Sequence, residues 1–205
     1  MRRVYVIMGV SGSGKTTVGQ ALARRLGVPF YDGDDFHPPE NVAKMAAGIP
    51  LTDEDRYPWL QTLHDLIASH LARGQAAVIA CSALKEKYRD QLRAGNDGVY
   101  IIYLKGRPSL IARRLEDRQG HYMKAALLTS QLEALEPPSP HNSLIIDIGY
   151  NVDEIVRFVL ANIAAEDAER QQGIVTMTNP LQKLYEYGQS FWYDNIRRQF
   201  LLEGE

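Results

Sequence analysis

Residues 9–16 have the types and spacing that point most directly to chemistry. They read Gly-Val-Ser-Gly-Ser-Gly-Lys-Thr, which matches the G-x-x-x-x-G-K-[ST] spacing of a phosphate-binding P-loop. Glycines at positions 9, 12 and 14 allow positive φ, so that successive backbone N–H groups form an anion site at a helix N-terminus. We expect Lys15 to reach the β- and γ-phosphates of ATP and the Thr16 hydroxyl to bind Mg²⁺. The predicted nucleotide-binding residues of this loop are Gly9, Val10, Ser11, Gly12, Ser13, Gly14, Lys15, Thr16 and Thr17. A plain Gly/Ser-rich turn between strand and helix is the alternative interpretation.

A second polar segment, residues 32–38, reads Asp-Gly-Asp-Asp-Phe-His-Pro and follows a predicted strand. Its three carboxylates would repel one another unless a cation or several donors balance them, and a magnesium nucleotide supplies such a cation. We predict that Asp32 holds Mg²⁺ with Thr16, and that Asp34 orients or deprotonates an attacking hydroxyl. His37 is a candidate to bond a substrate hydroxyl. Alternatively, Asp32 and Asp35 cap the helix that follows.

Three basic residues are candidates to bind an anionic group of the substrate. Arg56 lies in the first turn of a helix that a Thr52–Asp55 capping box is predicted to begin, where a cation opposes the helix dipole. Lys85 and Arg89 follow the C-terminal end of another predicted strand, and such ends line the ligand crevice of an open α/β sheet. Alternatively, Arg56 is a solvated side chain paired with an aspartate of its own turn.

A basic segment further along the chain has the composition of a closing lid. Arg113, Arg114 and Arg118 precede residues 119–124, where Gly120 interrupts the helical pattern. Cations neutralise phosphate charge and a flexible break permits closure. We therefore predict that Arg114 and Arg118 contact the nucleotide, with Arg118 also catalytic. The alternative is a solvated basic helix face.

The elements that must position these residues follow from hydrophobic patterning. Short apolar runs at 4–8, 28–31, 75–81, 99–104 and 144–147 predict buried parallel strands, and helical periodicity lies between them. Proline-rich residues 137–140 form a connector. The pattern indicates an α/β fold with helices flanking a parallel sheet.

Composition limits the remaining possibilities. The 205 residues fit one α/β domain plus a small appendage, and the net charge of −2 gives no reason to expect a nucleic-acid or membrane partner. The apolar run after Met1 is too short for a signal peptide or a membrane span. Cys81 is the single cysteine, which excludes an internal disulfide, favours the cytoplasm and is interpreted as a small core residue. His64 and His70 are interpreted as surface or satisfied histidines rather than metal ligands.

Several sequence blocks together resemble the bacterial-type gluconokinase family. They are residues 32–38 with Asn41, 44–45, 48–51, 53–56, 58–60, 81–85, 88–90, 103–106, Gly120-His121, 127–128, 130–131 and 135–137. The resemblance covers residues 3–165 and implies ATP-dependent phosphorylation of D-gluconate to 6-phosphogluconate, which feeds the pentose phosphate pathway. It also implies a P-loop kinase fold with a five-stranded parallel sheet, a mobile lid, a homodimer and a substrate contact by His121.

The domain prediction is a kinase domain at 1–168 and a C-terminal helical extension at 169–205. Residues 177–205 resemble the beginning of a transaldolase, with Met177 where an initiator would stand. This resemblance implies a kinase joined to a transaldolase beginning, a fusion remnant without the downstream barrel and its Schiff-base lysine, so no aldol chemistry is expected. Alternatively, the extension is an amphipathic helix, because Leu181, Leu184, Tyr185 and Gly188 fall at helical spacing.

Two other functions stay open on the sequence. The same scaffold could phosphorylate shikimate or another small hydroxy acid. The chain could also be a nucleotide-binding regulatory module, although the presence of Lys15, Thr16, Asp32 and Asp34 argues against weak or absent catalysis.

Overall fold

A single parallel sheet organises the computed structural model, which describes residues 3–117 and 124–171. Its strands are β1 (Val4–Met8), β2 (Phe30–Asp32), β3 (Ala77–Ala80), β4 (Val99–Lys105) and β5 (Ser143–Asp147). They are ordered β2-β3-β1-β4-β5, with every pairing parallel. The predicted five-stranded P-loop kinase fold is thereby confirmed.

Helices connect the strands and cover both faces of the sheet. They are α1 (Lys15–Leu26), α2 (Pro39–Ala46), α3 (Asp53–Ala72), α4 (Glu86–Arg93), α5 (Pro108–Glu116), α6 (Lys124–Ala134) and α7 (Val152–Gln171). A short 3₁₀ helix at Gly33–Phe36 follows β2. No helix in 3–117 or 124–171 is both long and apolar enough to cross a membrane.

Strand β2 begins two residues later than predicted. The N–H of Val28 donates to the Ala23 carbonyl at 3.1 Å, so Val28 completes the end of α1 after Gly27 in the left-handed conformation. Pro29 has no N–H to donate to a neighbouring strand. Pro29 therefore contributes only its carbonyl, which accepts from the N–H of Val78 in β3 at 3.0 Å, and the strand itself begins at Phe30.

The core lies on both faces of β1, whose five residues are all buried. Tyr5 and Ile7 point into one apolar cluster, and Val4, Val6 and Met8 point into the other. Strands β3 and β4 flank β1 on opposite sides. The chain therefore leaves β1 at the point where the strand order reverses, which is where open α/β sheets bind ligands.

Four predicted features fall outside the described residues. These are Arg118, the lid break at Gly120, His121 and the C-terminal extension from residue 172 onward.

Candidate active site

The loop after β1 has the backbone geometry expected of a phosphate cradle. Gly9, Gly12 and Gly14 have φ values of 148°, 83° and 93°, as the sequence predicts. Gly12 is also required for space, since a Cβ there would lie 2.8 Å from Cγ of Leu115. The N–H of Gly9 donates to the Ser82 carbonyl at 3.3 Å, which joins the start of the loop to the end of β3.

Thr16, at the start of α1, forms a hydrogen bond with Asp32, the last residue of β2. The Thr16 hydroxyl donates to Oδ2 of Asp32 at 2.8 Å, and Oδ1 of Asp32 accepts from the N–H of Asp34 at 3.2 Å. Asp32 thus caps the 3₁₀ helix while it also faces the P-loop. The alternative interpretation, in which Asp32 and Asp35 cap the helix containing Glu40 to Ala47, is wrong, because α2 begins after Pro38 without a side-chain cap. The pair offers hydroxyl and carboxylate oxygens, the ligands that Mg²⁺ prefers.

Three charged residues of the predicted site, Lys15, Asp32 and Asp34, lie near Cys81. Burial raises the pKa of the Cys81 thiol to about 12, and the charges of Asp34, Lys15 and Asp32 act on the same thiol. Cys81 is 1 % exposed, which fits a small core residue rather than a nucleophile.

The side chain of Lys15 lies over the P-loop, because its Nζ donates to the Val10 carbonyl at 3.2 Å.

The donor set suits a metal that arrives with a nucleotide. Among residues 3–117 and 124–171, no group of three or more His, Cys, Asp or Glu side chains could hold a metal by itself. Mg²⁺ is commonly bound through one or two carboxylates together with substrate phosphates and water. Thr16 and Asp32 fit that pattern.

His37 lies beside Asp34 in an aromatic pocket. Its ring stacks on Trp59 with centroids 4.1 Å apart, and its Nε2 lies 3.9 Å from Oδ1 of Asp34. Trp59 Nε1 donates to the Gly33 carbonyl at 2.7 Å, which fixes the indole under the 3₁₀ helix. Burial lowers the pKa of His37, with smaller effects from Asp34, which raises it, and Arg56, which lowers it. Burial therefore favours the neutral form of the imidazole.

A charged cluster lies where the N-termini of α3 and α4 approach each other. Asp53 accepts from Lys85 Nζ at 3.0 Å, from Lys87 Nζ at 2.6 Å and from the Tyr88 hydroxyl. Hydrogen bonds from Lys87, Tyr88 and Lys85 hold the pKa of Asp53 well below its usual range. Lys85 thus follows the C-terminal end of β3, as predicted, but its ammonium group is paired with Asp53.

Arg56 lies next to this cluster. Its guanidinium donates to the Leu51 carbonyl and lies 5.7 Å from the Tyr88 ring centroid. The alternative interpretation paired Arg56 with Asp53 or Asp55. Asp53 accepts instead from Lys85, Lys87 and Tyr88, and Asp55 accepts from Lys44 Nζ at 2.6 Å. The same Asp55 carboxylate completes the predicted capping box with Thr52, at 2.9 and 3.2 Å.

The structure corrects the prediction for Arg89. Its side chain is completely buried, and it donates to the carbonyls of Ala83 and Leu84 at 2.9 and 3.0 Å and to Glu86. Ala83 has φ of 44°, which costs a non-glycine residue roughly 1–2 kcal/mol. Arg89 therefore stabilises a strained loop after β3 and is removed from the substrate-binding set.

The side chain of Arg114 makes a hydrogen bond away from the P-loop. One of its guanidinium nitrogens donates to the Ile148 carbonyl, just past β5, at 2.8 Å. A nucleotide contact by Arg114 stays a prediction, as do the roles of Arg118 and His121.

Sequence reasoning assigned no role to four residues that the structure places at the site. Tyr88 bonds Asp53, Trp59 stacks on His37, Asn41 donates to the Asp55 carbonyl at 2.7 Å, and Gln131 accepts from the P-loop. All four lie in the blocks quoted for the family resemblance, which was the available signal.

Comparison with known proteins identifies close relatives. A family model described as "Shikimate kinase" matches residues 11–141. A "Probable gluconokinase" of Mus musculus is 46 % identical over 175 residues, which cover 77 % of this chain and 95 % of that protein. The "Thermosensitive gluconokinase" of Escherichia coli K12 is 47 % identical over 149 residues, covering 73 % and 80 %. The crystal structure of a gluconokinase from Sinorhizobium meliloti 1021 superposes with a TM-score of 0.75 at 45 % identity, covering 83 % of this chain and 97 % of that one.

Proposed function

We propose, from the premise that the chain belongs to the gluconokinase family, that it phosphorylates D-gluconate with ATP. The products are ADP and 6-phospho-D-gluconate. The relatives carry the name gluconokinase and cover most of this chain, which favours gluconate over shikimate as the acceptor.

One observation carries the proposal: the 2.8 Å contact between Thr16 and Asp32. It unites the loop that binds a triphosphate with the acidic strand end that follows β2. A phosphoryl-transfer site needs both, since the protein's contribution is positioning and neutralisation of charge.

The reaction is an in-line displacement. The primary hydroxyl oxygen of gluconate forms a bond to the γ-phosphorus while the bond from phosphorus to the β–γ bridging oxygen breaks. Lys15 and the amides of the P-loop bind the phosphate oxygens. Asp34 orients the hydroxyl and accepts its proton, and its 72 % exposed side chain is accessible to a ligand.

Mg²⁺ would be held by Thr16, with Asp32 as a direct or water-mediated partner. When bound, the ion supplies neutralisation of phosphate charge. The two oxygens that would hold it belong to residues whose contact is already formed.

The carboxylate end of gluconate is assigned to the cations near Tyr88. Arg56 and Lys85 lie 5.7 and 5.8 Å from the Tyr88 ring centroid, so both positive charges lie beside the same aromatic ring. His37, which stacks on Trp59 beside Asp34, is proposed to bond a hydroxyl of the acceptor.

Two wider proposals follow from the family. A homodimer is expected and is measurable by analytical ultracentrifugation.

A cytoplasmic location fits a chain whose one cysteine is buried and cannot form an internal disulfide.

The deciding experiment is ADP release by the full chain with saturating Mg-ATP and a panel of D-gluconate, other sugar acids, D-glucose and shikimate. We expect kcat/KM for gluconate to exceed that for every other acceptor by at least about ten-fold. Lys15→Met, which keeps the length of the side chain without its charge, is the inactive control.

Other outcomes would replace the proposal. A higher kcat/KM for shikimate or another hydroxy acid would reassign the acceptor. Binding of Mg-ATP without turnover on any acceptor would favour a regulatory module.

A further inference from the structure

Gln131, near the end of α6, contacts the P-loop. Its Oε1 accepts from the N–H of Ser11 at 2.6 Å. The contact joins residues 120 positions apart, so it exists only when α6 is seated against the loop. The amide of Ser11 belongs to the same loop whose later amides and Lys15 are expected to bind phosphate.

Glu136, two residues beyond α6, contacts the loop after β3 and the first residue of α4. Its N–H donates to the Leu84 carbonyl at 2.9 Å, and its Oε2 accepts from the N–H of Glu86 at 2.6 Å. The N–H of Glu86 is in the first turn of α4, where a carboxylate is favourable. Lys85 lies between these two bonded residues, so Glu136 fixes the backbone on both sides of it.

The residues between Gln131 and Glu136 anchor the segment in the core. Leu135 packs against both apolar clusters, and Leu132 packs against the cluster that contains Val10 of the P-loop. The two polar contacts are thus made from one short piece of chain with a defined position.

We propose that residues 131–136 act as a brace that fixes the distance between two walls of the site. The nucleotide wall is the P-loop, residues 9–16, and the acceptor wall is the loop between β3 and α4, residues 81–85, which contains Lys85. Gln131 is a positioning residue for the P-loop, and Glu136 is a positioning residue for Lys85. Transfer requires reacting atoms about 3–3.5 Å apart, and a misplacement of about 1 Å costs about 100-fold in rate, so this separation matters. The identity of the acceptor rests on the proposed function, whereas the nucleotide half does not.

The nucleotide half is tested with Gln131→Met, which keeps the length of the side chain but removes the acceptor oxygen. Isothermal titration calorimetry with a non-hydrolysable Mg-ATP analogue should show a Kd raised about five-fold. Glu133→Gln, an exposed change on the same helix, is the matched control and should leave the Kd unchanged.

A second measurement keeps this half falsifiable if Gln131→Met does not fold. In the unaltered chain without nucleotide, the amide of Ser11 should be protected from hydrogen exchange. Free exchange of that amide, or an unchanged Kd in folded Gln131→Met, overturns the proposal.

The acceptor half is tested with Glu136→Ala. KM for gluconate should rise about five-fold or more while the Kd of the ATP analogue stays unchanged, and Glu136→Gln, which retains an acceptor oxygen, should recover most of the loss. An unchanged KM, or equal losses for both ligands, overturns the assignment to Lys85. If the unaltered chain does not phosphorylate gluconate, the proposed function fails, and the titrations with Gln131→Met still decide the nucleotide half.

Discussion

The carboxylates after β2 show how neighbouring residues of one type acquire different chemistry. Asp32 is occupied by Thr16 and by the N–H of Asp34, whereas Asp34 is largely exposed beside His37. Their separation follows from the 3₁₀ helix, which turns successive side chains in different directions. Asp32 is therefore suited to a metal and Asp34 to a hydroxyl.

Replacing Asp34 by asparagine should lower kcat for gluconate by about 100-fold or more, because the amide cannot accept the hydroxyl proton. The measurement is ADP release at saturating Mg-ATP. Asp35→Asn, one position along the same turn, is the control and should retain kcat within about two-fold. Near-native kcat in Asp34→Asn would remove Asp34 from the chemistry.

His37 should make stability depend on pH. Because burial lowers its pKa, the unfolded chain binds a proton at His37 more readily than the folded chain does. Its contribution is complete above the ordinary histidine value of about 6.5 and is lost as pH falls toward the lowered pKa.

His37→Phe keeps an aromatic ring against Trp59 and removes the titration. We expect the urea midpoint to fall less between pH 7.5 and 5.5 in this variant than in the unaltered chain. An equal fall in both proteins would contradict the assignment of the pH dependence to His37.

At the scale of elements, helix α4 positions the acceptor wall through a buried cation. Arg89 bonds two carbonyls of the loop that precedes its own helix, and Glu136 bonds the Leu84 carbonyl of that loop and the N–H of Glu86 at the start of the helix. This double support fixes Lys85 while Arg89 itself stays away from solvent.

Arg89→Met should lower the free energy of unfolding by about 2 kcal/mol, since it takes a donor from two buried carbonyls, of which only that of Leu84 keeps a second donor, the N–H of Glu136. Urea denaturation measures the change. Asp90→Ala, an exposed change next to it, should cost within about 0.5 kcal/mol. Unchanged stability combined with a raised KM for gluconate would return Arg89 to the substrate-binding set.

Across the whole molecule, helix α7 joins the two ends of the described kinase domain. Arg3, only 4 % exposed, pairs with Glu166 at 3.2 Å and Asp167 at 3.3 Å, and the Tyr100 hydroxyl donates to Glu166 at 2.7 Å. The domain therefore depends on α7 at least as far as Asp167.

A chain that ends at Gln171 should fold and phosphorylate gluconate within about two-fold of the full chain. A chain that ends at Ala165 should lose about 3–5 kcal/mol of stability, because a buried arginine is left without its carboxylates. Thermal melts and the ADP assay measure both. Loss of activity in the longer truncation would place part of the extension within the working enzyme.

The sequence alone determined the elements and the phosphate-binding loop. Gly12, Gly14 and the capping box at Thr52 are recognisable in the sequence, because backbone sterics and hydrogen bonds between residues a few positions apart determine them. Buried parallel strands were predictable for the same reason, since a strand covered on both faces reads as a continuous apolar run.

Only the tertiary structure decided which polar side chains meet and which are buried. Arg56, Lys85 and Arg89 look alike as basic residues near helix starts, yet one bonds loop carbonyls, one pairs with Asp53 and one is fully enclosed. The contact of Gln131 with Ser11 spans 120 positions. Such outcomes depend on strand order and on the summed packing of many weak apolar contacts, which no local pattern encodes.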